Sequence, residues 1–149
     1  MDFTEKERNM LEELKGHERL CIEKYKRHSE CANDEQLKSL FQGLSEEETK
    51  HLNSLEQIGM GTVPPINNEE KPLPSFTAKY KAVLCPEKTA DMYLCSDLLS
   101  GEKQVSHLYD IAAFEFRDQS VRAFLNHIQK EEQTHGKIIY DYMAANGMY

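Results

Sequence analysis

The chain has no run of 18 or more apolar residues, so no segment could span a bilayer as a helix. It also lacks a basic run and any basic patch interleaved with aromatics. With a net charge of −8, a phosphate-binding surface is excluded, so neither nucleic acid nor membrane is expected as a partner. Cysteine is sparse: Cys21, Cys31, Cys85 and Cys95 form no Cys-x-x-Cys pair, which rules out a zinc ribbon or a rubredoxin-type iron site. Cys21 and Cys95 fall on inward stripes and are expected to pack as small hydrophobes. The segment Met1 to Asn9 is charged and has no apolar core, so no export signal is expected there. Proline is confined to one stretch: all five prolines lie between Pro64 and Pro86, and the remainder of the chain is free to be helical.

That remainder has helical hydrophobic spacing in four segments, expected at about 5–31, 34–58, 89–116 and 119–145. Thr4 and Glu7 form a capping box before the first, Asn33 and Asp34 a turn and cap before the second, and Asp118 or Ser120 caps the fourth. Asn146-Gly147 is a left-handed terminator. Gly43 and Gly136 lie inside helices at ~1 kcal/mol cost each relative to alanine, for which close helix approach is one reason. Residues 59 to 86 form a connection long enough to run the length of a bundle. The expected architecture is all-α: one domain over 1–149, with two helical hairpins joined by a long crossover into an up-down-down-up four-helix bundle.

The inward stripes carry charge. Glu132 and His135 stand three residues apart on one helical face, between Val121, Leu125, Ile128 and Ile139, Tyr142. Glu48 and His51 repeat the arrangement 84 residues earlier, and stepping back 30 residues from each motif glutamate reaches Glu18 and Glu102. The offset of 84 also relates Tyr25 with Tyr109, Asp34 with Asp118 and Glu47 with Glu131, which marks an internal repeat. Four carboxylates and two imidazoles inside one core are very costly unless compensated, and two divalent cations balance the four charges while neutral histidines complete the shell.

One glutamate from each of two helices and Glu-x-x-His from each of the other two is the ligand set of ferritin-like di-iron and di-manganese bundles, and the chain resembles that superfamily from Glu18 to His135. The resemblance implies two iron or manganese ions, with Glu48 and Glu132 bridging, Glu18 and Glu102 terminal, and one histidine, His51 or His135, on each. It differs from rubrerythrins in having no Cys-x-x-Cys domain and in placing Val105 where an extra glutamate would be sought. Tyr25 and Tyr109, two turns beyond Glu18 and Glu102, are candidates to hydrogen-bond the bridging carboxylates or carry an electron, with core packing as the alternative. His17, His28, His107 and His127 are expected to face solvent or bond locally.

The second half, residues 92 to 149, also resembles the spore coat protein F family through Asp97-Leu98-Leu99, Glu102-Lys103, Tyr109, Glu131-Glu132-Gln133, Met143 and Gly147-Met148-Tyr149. Met148 departs from that family's usual Gly-Trp-Tyr ending. This resemblance implies a spore-forming source and a place in or beneath the coat, so the expected location is the cytoplasm or the spore coat. Two readings stand side by side. One is a redox enzyme acting on peroxide or dioxygen with an unidentified electron donor. The other is a structural coat module, associated with other coat proteins or as a homo-oligomer, whose metal stabilises the fold or is vestigial.

Overall fold

A computed structural model describes residues 1–149. Four helices and no strands are present: α1 (Glu5–Cys31), α2 (Glu35–Gly59), α3 (Pro86–Glu115) and α4 (Gln119–Ala145). The caps follow the local sequence. Thr4 Oγ1 accepts from Glu7 N at 3.1 Å while Glu7 returns an acceptor to Thr4 N at 2.8 Å, closing the capping box. Asp34 and Asp118, related by the repeat, cap α2 and α4 through Gln36 N and Ser120 N. The third helix starts three residues earlier than the sequence suggests. Cys85 is its N-cap and Pro86 its first residue, where a missing N–H and a fixed φ cost nothing.

Direction follows from which ends share a core. One apolar cluster joins Leu11 and Leu14 near the start of α1 to Leu55 and Ile58 at the end of α2, Tyr109 and Ala112 at the end of α3, and Val121 and Leu125 at the start of α4. A second joins Tyr25, Leu37, Phe41, Cys95, Leu98, Ile139 and Tyr142 at the opposite end. The bundle therefore runs up-down-down-up. α1 pairs with α2 and α3 with α4, while α1 lies against α3 and the α2–α4 seam is the loosest. Between the two clusters lie the buried polar residues of the inward stripes.

The crossover, 60–85, traverses the bundle from the end of α2 to the start of α3. It is more than a passive connection at its far end. Tyr80 is buried, and its hydroxyl donates to Asp91 Oδ2 at 2.7 Å; Lys79 N and Tyr80 N donate to Asn146 Oδ1 at 2.9 and 3.0 Å. Asp91 also accepts from Asn33 N and Asp34 N, and Asp34 from the Tyr142 hydroxyl. One buried network thus ties the α1–α2 turn, the crossover and the end of α4. Gly147 closes α4 with φ +66°, and a Cβ there would sit 2.6 Å from the Lys81 carbonyl oxygen, so only glycine fits. Gly43 has no such reason. No atom lies within 4 Å of the place its Cβ would occupy, and at Gly136 the nearest is Leu99 Cδ1 at 3.5 Å, an ordinary contact, so close helix approach does not explain Gly43.

Candidate metal centre

Each helix delivers its glutamate to the same level of the bundle. Glu18, Glu48, Glu102 and Glu132 are all buried, as are His51 and His135. They form two groups whose possible ligand atoms lie within 4.8 Å of one another: Glu18, Glu48, His51 and Glu132 in one, Glu48, Glu102, Glu132 and His135 in the other. Glu48 and Glu132 belong to both. The imidazoles stack across the centre with ring centroids 5.6 Å apart and planes 16° from parallel. Each turns Nδ1 inward: His51 Nδ1 is 2.9 Å from Glu48 Oε2 and 3.0 Å from Glu132 Oε1, and His135 Nδ1 is 3.1 Å from Glu48 Oε1 and 3.4 Å from Glu132 Oε2.

The repeat reappears here as an exchange between hairpins. Tyr25 of α1 donates its hydroxyl hydrogen bond to Glu102 of α3, and Tyr109 of α3 donates to Glu18 of α1. Of the sequence alternatives for these tyrosines, bonding to the shared carboxylates Glu48 and Glu132 is not the one observed; the hydroxyls reach the outer pair, Glu102 and Glu18. The reason is geometric: two turns place each hydroxyl beside the helix packed across the core, which is α3 for α1 and α1 for α3.

The electrostatics follow from burying like charges together. Burial, then the charges of Glu132 and Glu48, push the Glu18 carboxyl well up; burial and Glu132 do the same to Glu102. Burial also works against ionisation of Glu48 and Glu132, yet the neighbouring Glu102 carboxyl, in the case of Glu132, and the two imidazoles hold both below the usual carboxylate range. Both imidazoles are raised because their bonds to carboxylates outweigh desolvation. Buried beside these acids, the Tyr25 and Tyr109 phenols are pushed well up and stay protonated as donors.

The donor set fits divalent metal. Oε2 of Glu18, Glu102 and Glu132 is buried with no hydrogen-bond partner, which leaves these oxygens available to a metal ion. Carboxylate oxygen with imidazole nitrogen suits iron, manganese or zinc alike. Two openings lead inward. A groove between α3 and α4 is lined by Leu99, Glu102, Ser106, Glu132 and Gly136, and a cleft under crossover residues 67–73 is lined by Glu47, His127, Glu131 and His135.

The remaining candidates fall outside this core. Burial first, then the four site glutamates, raise the Cys21 thiol, while Cys95, packed in the apolar cluster with Tyr25 and Leu98, is raised to about 12 by burial and by Asp91 and Asp34. His28 bonds Asp97 at 2.7 Å, and His127 lies 3.1 Å from Glu131. Glu131 itself was visible only as a member of a repeated pair; the structure adds that His51 Nε2 meets its Oε2 at 2.6 Å.

Residues 90–149 match the family model of the Coat F domain. No curated protein and no solved structure matches the chain. The matched stretch covers nearly all of α3 and the whole of α4, and so contains Glu102, Tyr109, Glu132 and His135, half of the buried constellation.

Proposed function

We propose that the chain is a ferritin-like protein that binds two iron or manganese ions and reduces peroxide or dioxygen. The supporting observation is the pair of four-residue donor groups that share Glu48 and Glu132. In this reading Glu48 and Glu132 would be shared by the two ions, Glu18 with His51 would hold one and Glu102 with His135 the other, and residues 1–149 act as a single domain because each hairpin supplies half. When bound, such a pair of ions supplies the two electrons that peroxide takes up. The chain's own residues do the rest. Tyr25 and Tyr109 fix the outer carboxylates by hydrogen bonds, the apolar clusters on either side keep bulk water from the centre, and the groove at Gly136 admits a small oxidant. The 149 residues hold no Cys-x-x-Cys pair, so the electrons for turnover would come from a donor outside them.

The Coat F match favours a second reading, a coat module that associates with other coat proteins and whose metal serves stability. One experiment separates them. Protein stripped by chelation is loaded with Fe(II), Mn(II) or Zn(II), the bound ions are counted, and Fe(II)-loaded samples are mixed with peroxide in a stopped-flow instrument. Two ions per chain, a raised melting temperature and fast oxidation lost in Glu48→Ala support the enzyme. Bound ions with oxidation no faster than free Fe(II) support the coat module, and no bound ions in wild type, as in Glu132→Ala, sink the centre itself.

A further inference from the structure

The two ends of the centre are built from a repeat, yet their surroundings differ. His51 Nε2 lies 2.6 Å from Glu131 Oε2, and Glu131 is held in turn by His127 Nε2 at 3.1 Å. With the remaining ring proton kept on Nε2 by this acceptor, the lone pair of a neutral His51 sits on Nδ1, the nitrogen that faces the carboxylates. His135 has no such acceptor. Its Nδ1 faces the carboxylates, but its Nε2 has no protein hydrogen-bond partner and the ring borders the cleft under residues 67–73.

The counterpart of Glu131 is Glu47, so the sequence offers the same acceptor to both histidines. Two single-residue differences divert it. Lys50, three residues after Glu47, binds its Oε1 at 2.7 Å, and Lys71 of the crossover adds a contact at 3.3 Å; the counterpart of Lys50 is Thr134, which leaves Glu131 free for His51. The counterpart of His127 is Gly43, so nothing on α2 could hold Glu47 in the equivalent place.

We propose that Glu131 is a positioning residue that makes the two metal positions unequal: the end carrying His51 fills first and tightly, and the end carrying His135, open to the crossover cleft, fills second and exchanges. This rests on the two-ion reading above. An ordered imidazole binds metal without first choosing its tautomer and ring orientation, and loss of such an outer partner typically costs ~10–100-fold in affinity.

Zn(II) calorimetry on the stripped full chain tests it, with imidazole nitrogen NMR reporting which ring binds. Wild type is expected to show two steps at least ~10-fold apart, with the His51 Nδ1 signal moving in the first. Glu131→Gln should weaken the first step ~10–100-fold, so that both ring signals move together, and Glu47→Gln should leave both steps unchanged. His51→Ala should remove the tighter step and His135→Ala the weaker. Equal steps in wild type, an unaltered isotherm in Glu131→Gln, or the same loss in Glu47→Gln overturns the inequality while leaving the two-ion reading intact. Absence of any binding in wild type overturns both.

Discussion

Glu7 joins the start of α1 to the α3–α4 turn, and its removal has a pH signature that can be worked out. Its carboxylate accepts five hydrogen bonds: from Thr4 N and Oγ1 within α1, and from Arg117 N at 2.9 Å, Arg117 Nε at 3.3 Å and Arg117 Nη2 at 3.1 Å across the bundle end. Burial opposes ionisation, but the Arg117 and Thr4 bonds win and lower the carboxyl from 4.5 to about 2. The ionised form is the one the fold holds. Its contribution is therefore full above an unfolded pKa of about 4.5, shrinks as pH falls, and is gone below about 2. Taken whole, that shift corresponds to about 3 kcal/mol. The Arg117 side chain is 66% exposed, so solvent screens the pair and about 1–2 kcal/mol is the realistic share.

In Glu7→Gln the amide keeps one acceptor oxygen and turns an N–H2 toward donors, so this share is lost at pH 7. The expected fall in melting temperature is about 4 °C, at roughly 2–4 °C per kcal/mol for a chain of this length. Urea denaturation of wild type and variant from pH 7 to pH 3.5 measures the gap directly. By pH 3.5 at least about two-fifths of it should have closed, because wild-type Glu7 is then losing its own advantage. A gap below ~0.5 kcal/mol at pH 7, or one that stays constant to pH 3.5, refutes the assignment of the stabilisation to an ionised, bonded Glu7.

Tyr25→Phe and Tyr109→Phe each remove the hydroxyl donor to a buried glutamate on the opposite hairpin, and each should destabilise by ~1.5–3 kcal/mol in chemical denaturation. Because the repeat makes the two contacts equivalent, a neutral result for either one contradicts the exchange. Gly43→Ala should raise the melting temperature, with a gain of about 1 kcal/mol, since its Cβ meets nothing and alanine is the better helix former. Gly147→Ala should lower it through the clash with the Lys81 carbonyl, and the same direction for both variants would show the backbone argument to be mistaken.

The repeat made the buried constellation legible: Glu18, Glu48, His51, Glu102, Glu132 and His135 could be named because the offset of 84 picks them out of 26 acidic residues and 6 histidines. Helical period says which face a residue occupies, and this was enough to bring the six together. It does not say which helix lies opposite. That is why the sequence could not say which carboxylates the Tyr25 and Tyr109 hydroxyls reach, or that Asp34 and Asp91 join one buried polar network. That network was invisible for a further reason: Asp91, Tyr80 and Asn146 come from segments with no shared pattern, and only the path of the crossover brings them into contact. The early start of α3 was missed because Pro86 reads as the end of a proline-rich stretch, whereas at a first helical position it begins one. Glu47 and Glu131 are each followed by a site glutamate, and it is Lys50, in place of Thr134, that holds Glu47 away from a histidine.

The exchange of partners between hairpins also bears on dilution. Tyr25 needs Glu102, Tyr109 needs Glu18, and each histidine faces a glutamate of the other hairpin, so two unlinked hairpins would complete these pairs only by colliding. Residues 60–85 convert that collision into an internal event at an effective concentration in the mM range. Formation of the centre is then first order in protein, and it should remain whole in a single molecule far from any other copy.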